Sequence, residues 1–360
     1  MCKELSHSAW CYIIPSHVHE NIARNGNEKQ KALAYQALTS SSRIRGQREL
    51  LTTFAALGTT PTGVKRRTIY DAKNGLTLPG KLVRGEGDPK TNDTSVNEAY
   101  DGSGKTYDFY MSTFQRNSID DRGMRLDSTV HFRRNFNNAF WNGQQMVYGD
   151  GDGQIFQRFT KSLDVIGHEL THGVTQFEAG LVYQDQPGAL NEHFSDVFGS
   201  LVKQFAKKQT AKQADWLIGA GIFTPNIQGV ALRSMKAPGT AYNDPLIGKD
   251  PQPAHMKNFV KTTSDSGGVH INSGIPNKAF YEVAIALGGK AWEKAGKIWY
   301  RTLIDKIQPL TTFAECAAMT YEVAGNLYGL GGTEQKAVRA AWAVVGIPIG
   351  GSLAAAAGAR

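Results

Sequence analysis

Val165-Ile166-Gly167-His168-Glu169-Leu170-Thr171-His172 decides how the rest of this chain is read. On a helix, residues four apart share a face, so the His168 and His172 imidazoles can reach one ion, with the Glu169 carboxylate beside it. Leu163, Ile166, Leu170, Val174 and Phe177 recur at spacings of three and four. That period predicts a helix whose other face is anchored in a core.

A metal site of catalytic type requires a third protein ligand and an open position. Glu192 follows His172 on a second helical stretch, where Leu190, Phe194, Val197 and Leu201 mark the inward side. Asp196 shares a helix face with Glu192, and Asn191 adjoins it. These two are the candidates to accept the outer ring N–H groups of the metal-binding histidines. Two acids on a helix more often mark a solvated face. Following the histidine pair at this distance, they read as a ligand and its support.

The pattern changes along the chain. Asn27 is expected to cap a helix running to Leu38, and the polar, basic stretch 39–48 is expected to be an exposed linker and cleavage region. Residues 64–150 read mainly as strands and turns. Asn74-Gly75 suggests a hairpin joining 68–70 to 76–78, 85–104 reads as loop, and a helix is expected to begin at 107–116. Beyond 160 the period is helical, with helices expected at about 188–208, 276–287, 290–306, 312–327 and 334–344. A β-rich half followed by a helical half predicts an α+β chain of two lobes with a groove between them.

Composition fits this reading. The chain has 360 residues, 41% hydrophobic and 20% charged, with a net charge of +8 spread along its length. This argues for a globular protein and against disorder or a nucleic-acid partner. No apolar run is long enough for a membrane span. Cys2, Cys11 and Cys316 cannot staple a fold of this size. The apolar run Trp10–Ile14 is too short for a secretory signal, which makes cytoplasmic retention or a non-standard release route the expectation.

The chain resembles the thermolysin-like zinc metallopeptidases over roughly residues 64–345. The resemblance rests on ordered motifs: 137–143 (NNAFWNG), 146–153 (MVYGDGDG), 167–172 (GHELTH), 180–183 (GLVY), the Glu192 segment, 231–235 (ALRSM) and 267–274 (GGVHINSG). The short leading segment, with its Ile13-Ile14-Pro15, looks like the protealysin-like branch. The resemblance implies a two-lobed metallopeptidase. Its parts would be a short propeptide at 1–50, a β-rich catalytic lobe at 51–180 ending in the histidine helix, and a mainly helical lobe at 181–360.

Roles follow from the resemblance. One Zn2+ would be held by His168, His172 and Glu192, with Glu169 as the base that takes a proton from water. Tyr183 and His270 would stabilise the oxyanion, with Asp265 orienting His270. Asn138, the Ala139 carbonyl and Arg233 would grip the substrate backbone, although an internal ion pair is an equal reading of Arg233. Phe156, Phe159, Val165 and Leu232 would line the leaving-side pocket, which implies cleavage before bulky apolar residues. The alternative is ordinary core for these four.

The family's paired calcium site is expected to be absent. Asp164 and Asp215 stand at ligand positions, but Lys203, Leu217 and Ala220 stand at others and Val230 at a further calcium loop; lysine and apolar side chains cannot bind a hard cation. Residues 11–21 are expected near the groove, with Cys11 as a possible thiolate cap on the zinc. The expected product is a monomeric zymogen of an endopeptidase, acting on peptides or proteins and inhibited by its own propeptide. It would have no nucleic-acid or membrane partner, and secretion is the family-based alternative for its location. The competing functions are another zinc hydrolase, such as an exopeptidase, and an inactive binding protein on the same scaffold.

Overall fold

The computed structural model describes residues 12–51 and 63–350, with side chains for 12–39 and 63–350. Cys2 and Cys11, and with Cys11 the expected thiolate cap, lie outside the described residues.

The leading segment folds into two helices, α1 (Ser16–Asn25) and α2 (Glu28–Leu51). Asn27 caps α2 as expected: its Oδ1 accepts from the Gln30 N–H at 3.0 Å, and Gln30 Oε1 accepts from the Asn27 N–H at 2.9 Å. The helix does not stop at Leu38. Its backbone continues to Leu51, through the stretch expected to be a linker. Arg and Gln in that stretch, and Glu49 and Leu50 just beyond it, are good helix formers, and serine costs a helix little.

A five-stranded sheet follows, built from β1 (Arg67–Asp71), β2 (Lys81–Arg84), β3 (Leu126–Val130), β4 (Ala139–Trp141) and β5 (Met146–Tyr148). Its order is β2-β1-β3-β5-β4; β3 runs parallel to β1 and β5, and the outer pairs are antiparallel. The hairpin partner of β1 begins at Lys81 rather than Leu76, because Pro79 offers no N–H to a ladder.

A long helix, α3 (Thr94–Phe114), occupies much of the region read as loop. Asp93 caps it through the Val96 N–H at 3.2 Å. Gly102 and Gly104 hid this helix from a propensity reading. A Cβ on Gly102 would lie 2.3 Å from Ile166 Cδ1, so the glycine is there for close packing rather than a turn.

The remaining chain is mainly helical. It comprises α4 (Leu163–Glu178), α5 (Asp185–Ala206), four short strands β6 to β9 between 217 and 249, α6 (Asp265–Asn272), α7 (Gly274–Leu287), α8 (Ala295–Asp305), α9 (Phe313–Tyr328) and α10 (Thr333–Val344). These match the expected helices, except that α8 starts five residues later than read; His270 lies in the helical end of the short α6, after a left-handed stretch at 265–268. A capping box of Thr312 and Glu315 starts α9.

Helices α4 and α5 pack closely through the centre of the molecule. A Cβ on Gly199 would lie 2.5 Å from the Asp164 carbonyl oxygen, so glycine sets their separation. One continuous buried cluster joins both lobes, from Ile69 and Leu126 through Leu170 and Phe194 to Trp342. It anchors the apolar side of α4 and turns the other side toward the groove. Among the described residues, no helix is long and apolar enough to cross a membrane.

Candidate active site

His168 and His172 lie one turn apart on α4, and Glu192 faces them from α5; all three are buried. Their ligand atoms lie within 4.8 Å of one another. The two Nε2 atoms are 3.0 Å apart, and each is 3.5 Å from a Glu192 oxygen. His168 Nδ1 donates to Asp196 Oδ1 at 2.8 Å. His172 Nδ1 lies 2.8 Å from Asn191 Oδ1 and 2.9 Å from Ser195 Oγ. With both Nδ1 atoms carrying the proton, the two Nε2 lone pairs and a carboxylate converge on one point. Such a donor set calls for a cation, and two imidazoles with one carboxylate suit zinc.

Asp196 is saturated as an anion. Besides His168 it accepts from Arg233 Nη2 at 2.8 Å, Arg233 Nε at 2.9 Å and Asn277 Nδ2 at 2.9 Å. Burial opposes its ionisation, but the guanidinium and the imidazole outweigh this and hold the carboxyl well below its ordinary range.

Glu169 is buried beside the pair, its Oε2 held by the Trp141 N–H at 3.0 Å. Across the groove, Tyr183 Oη donates to Glu192 Oε1 and lies 3.3 Å from His270 Nε2. Asp265 holds His270 twice, at Nδ1 (2.6 Å) and at the backbone N–H (2.9 Å). Burial disfavours the His270 imidazolium, but Glu192 and Asp265 outweigh it and raise its pKa to about 9. The ring is therefore a cationic donor near neutrality.

Residues 12–14 lie in this groove. Tyr12 forms an antiparallel bridge with Phe140 on β4, with ring centroids 5.1 Å apart. Four backbone groups there meet expected substrate-binding or catalytic residues. The Tyr12 carbonyl accepts from His270 Nε2 at 2.9 Å. The Ile13 N–H donates to the Ala139 carbonyl at 3.3 Å, and its carbonyl accepts from Arg233 Nη1 at 3.2 Å. The Ile14 N–H donates to Asn138 Oδ1 at 3.0 Å. Arg233 thus makes both the internal ion pair and a peptide contact, the two readings the sequence left open together.

Phe156, Phe159, Val165 and Leu232 are all buried and belong to the same apolar cluster as Ile13. A cavity of about 500 Å³ adjoins the segment, with Tyr12, His19, Tyr183, Asp265 and His270 on its walls.

Sequence reasoning missed several members of the site. Trp141, Ser195, Asn277 and Gln252, whose Nε2 donates to the His270 carbonyl at 2.8 Å, carry no local spacing signal. His193, next to Glu192, was visible but had no assigned partner.

Two family models match the chain: the thermolysin metallopeptidase catalytic domain over residues 38–176 and its alpha-helical domain over residues 179–347. The chain belongs to the thermolysin metallopeptidase family. It is 51% identical over 341 residues to an extracellular metalloprotease of Pectobacterium carotovorum subsp. carotovorum, covering 94% of this chain and 97% of that protein. Protease PrtS of Photorhabdus sp. (strain Az29) is 48% identical over 343 residues, covering 94% and 92%. Among solved structures, the precursor of protealysin, a metalloproteinase from Serratia proteamaculans, superposes with a TM-score of 0.85 at 51% identity, covering 94% of this chain and 99% of that one. The chain is therefore a metalloendopeptidase of the thermolysin family, in the protealysin-like branch, with the family's two-lobed fold.

Proposed function

We propose that this chain is the zymogen of a zinc endopeptidase that cuts on the amino side of bulky apolar residues. Its first 50 or so residues act as an intramolecular inhibitor, 51–180 as the β-rich lobe and 181–360 as the helical lobe. The observation that carries this reading is the register of residues 12–14. The Tyr12 carbonyl meets the proposed oxyanion donor, and Ile13, on its leaving side, is fully buried.

His168, His172 and Glu192 hold the zinc. When bound, the ion supplies Lewis acidity that polarises a carbonyl and acidifies water. Glu169, fixed by the Trp141 N–H, takes the proton from the attacking water and returns it to the leaving amine. His270 and Tyr183 donate to the developing oxyanion, and Asp265 keeps His270 protonated. Asn138, Ala139 and Arg233 hold the substrate backbone as they hold residues 13 and 14. Phe156, Phe159, Val165 and Leu232 form the leaving-side pocket.

Calcium is not part of this reading. Lys203 Nζ lies 2.7 Å from Asp164 Oδ2, 2.9 Å from Asp215 Oδ1 and 2.6 Å from the Leu217 carbonyl. An ammonium among these oxygens takes the place of a divalent ion and supports a fold without the paired calcium site. The active enzyme acts as a monomer on peptides or proteins and is released from the cell. The extracellular name of the Pectobacterium relative supports that location, and nothing among the relatives supports the expected cytoplasmic retention.

Hydrolysis of a blocked internal peptide, with and without a zinc chelator, tests the activity. Glu169→Ala should abolish it, and survival of activity in that variant overturns the assigned base. Mass spectrometry of the active species should find an N-terminus near residue 50; a mature enzyme retaining Met1 defeats the zymogen reading.

A further inference from the structure

A chain of buried hydrogen bonds runs from the helical lobe into the metal site, and its polarity is set at the far end. An indole N–H can only donate. Trp299 Nε1 on α8 donates to His193 Nε2 on α5 at 2.7 Å. That bond commits His193 to the tautomer with its proton on Nδ1, which donates to Asn277 Oδ1 on α7 at 2.8 Å. With its oxygen engaged, the Asn277 amide must present nitrogen to Asp196 Oδ2, at 2.9 Å. Asp196 in turn accepts from His168 Nδ1 at 2.8 Å. Trp299, His193, Asn277, Asp196 and His168 are each fully buried, so no solvent relaxes the sequence of donors and acceptors.

Asn277 is the point at which this order can fail. An amide is nearly symmetric in shape, and its flipped form would aim Oδ1 at the Asp196 carboxylate. Asp196 has four acceptor positions for four donors: His168 Nδ1, two Arg233 nitrogens and Asn277 Nδ2. A flip replaces the fourth donor with a repulsive oxygen and loosens the carboxylate that orients His168. His193 prevents the flip, because its Nδ1–H requires the amide oxygen.

We propose that His193 is a positioning residue for the metal site. Together with Trp299 it fixes the Asn277 amide, completes the anchoring of Asp196 and so holds His168 Nε2 toward the ion. The inference rests on the metallopeptidase reading of the same site. It assigns a role to a residue that touches neither metal nor substrate.

Zinc affinity of the full chain, measured by competition with a chromophoric chelator, tests the proposal apart from catalysis. His193→Phe removes the donor to Asn277 and should weaken zinc binding by about ten- to a hundred-fold. Trp299→Phe keeps an aromatic ring while releasing the tautomer, and should weaken it less, by about three- to ten-fold. Asn277→Leu should weaken zinc on its own. Adding His193→Phe to it should then change the affinity by less than about twofold, since both act through one bond. Cobalt-substituted His193→Phe should show a shifted visible spectrum, as the ligand geometry changes.

A merely structural role would lower the melting temperature of the metal-free chain while leaving zinc affinity unmoved, and that result overturns the proposal. Additive losses in the double variant also overturn it. If His193→Phe fails to fold, Trp299→Phe decides alone, and parental zinc affinity in it is fatal. If the processed parent enzyme binds zinc but leaves blocked peptides intact, the peptidase reading fails while this assignment stands.

Discussion

His19 Nε2 lies 3.4 Å from Asn138 Nδ2, so the propeptide imidazole must face that amide as an acceptor. Asn138 cannot turn its oxygen toward the ring, because its Oδ1 already accepts from the Ile14 and Ala139 N–H groups, each at 3.0 Å. A proton on Nε2 would set donor against donor. Burial, followed by the charge of His17, lowers the His19 pKa to about 4, with Asp152 opposing. His17, bonded to Tyr242 Oη at 2.9 Å, is also lowered to about 4; burial dominates, Asp265 opposes, and His270 and Arg233 add to it.

The sign of the pH effect follows. A free imidazole titrates near 6.5, and the docked ring only near 4. Docking therefore favours the neutral form. The hold is complete above about pH 6.5 and is lost as pH falls toward 4, by roughly thirty-fold at pH 5 for one such ring. Access of a fluorescent peptide hydroxamate to the groove of the uncut chain should rise over this window. His19→Gln should flatten the rise, and identical curves for parent and variant would refute it.

Ile13 is fully buried beneath the Arg233 contact. Ile13→Asp would place a carboxylate in that apolar position, at a cost of at least several kcal/mol. The uncut chain carrying this change should hydrolyse a small blocked peptide, while the parent remains inert until processed. Equal inertness of the two chains would show that this contact does not hold the segment in place.

Asp196→Asn removes the charge that Arg233 and His168 share. Stability should drop by about 3–5 kcal/mol, as expected when a buried ion pair loses one partner. Zinc affinity should fall by about ten- to a hundred-fold. Denaturant titration and chelator competition measure the two losses separately.

The Lys203 ammonium pairs with both Asp164 and Asp215, the basis for proposing a fold without the paired calcium site. Thermal unfolding at constant zinc should therefore shift by no more than about a degree when calcium is added or chelated. Lys203→Met should destabilise by about 3–5 kcal/mol, because Asp164 is fully buried. A large calcium-dependent shift in the parent would contradict the reading.

Much of the helical lobe was legible because α7, α9 and α10 bury mainly one side at a 3.6-residue period; α4 and α5 show the same apolar period although they are buried nearly all round. The candidate metal-binding group was legible for a related reason: His168 with His172, and Glu192 with Asp196, are set on common faces by helix geometry alone. Other elements were not. In α3, glycines chosen for close packing imitate a loop, and in α2 the serine- and arginine-rich stretch reads equally as linker or helix. The partner of β1 was misplaced because a turn signal does not say how many residues follow before pairing resumes.

By itself, then, the sequence determined what nearest neighbours along the chain can determine: the helix period, the chelating pair, the candidate third ligand and the supporting acid. Tertiary structure alone decided which remote atoms meet. The Tyr12 carbonyl reaches His270, Ile13 reaches Arg233, and Trp299 sets the His193 proton, across separations of 258, 220 and 106 residues. No local periodicity encodes such pairings. They arise when a shared core brings separate elements together and each buried polar group must find a partner.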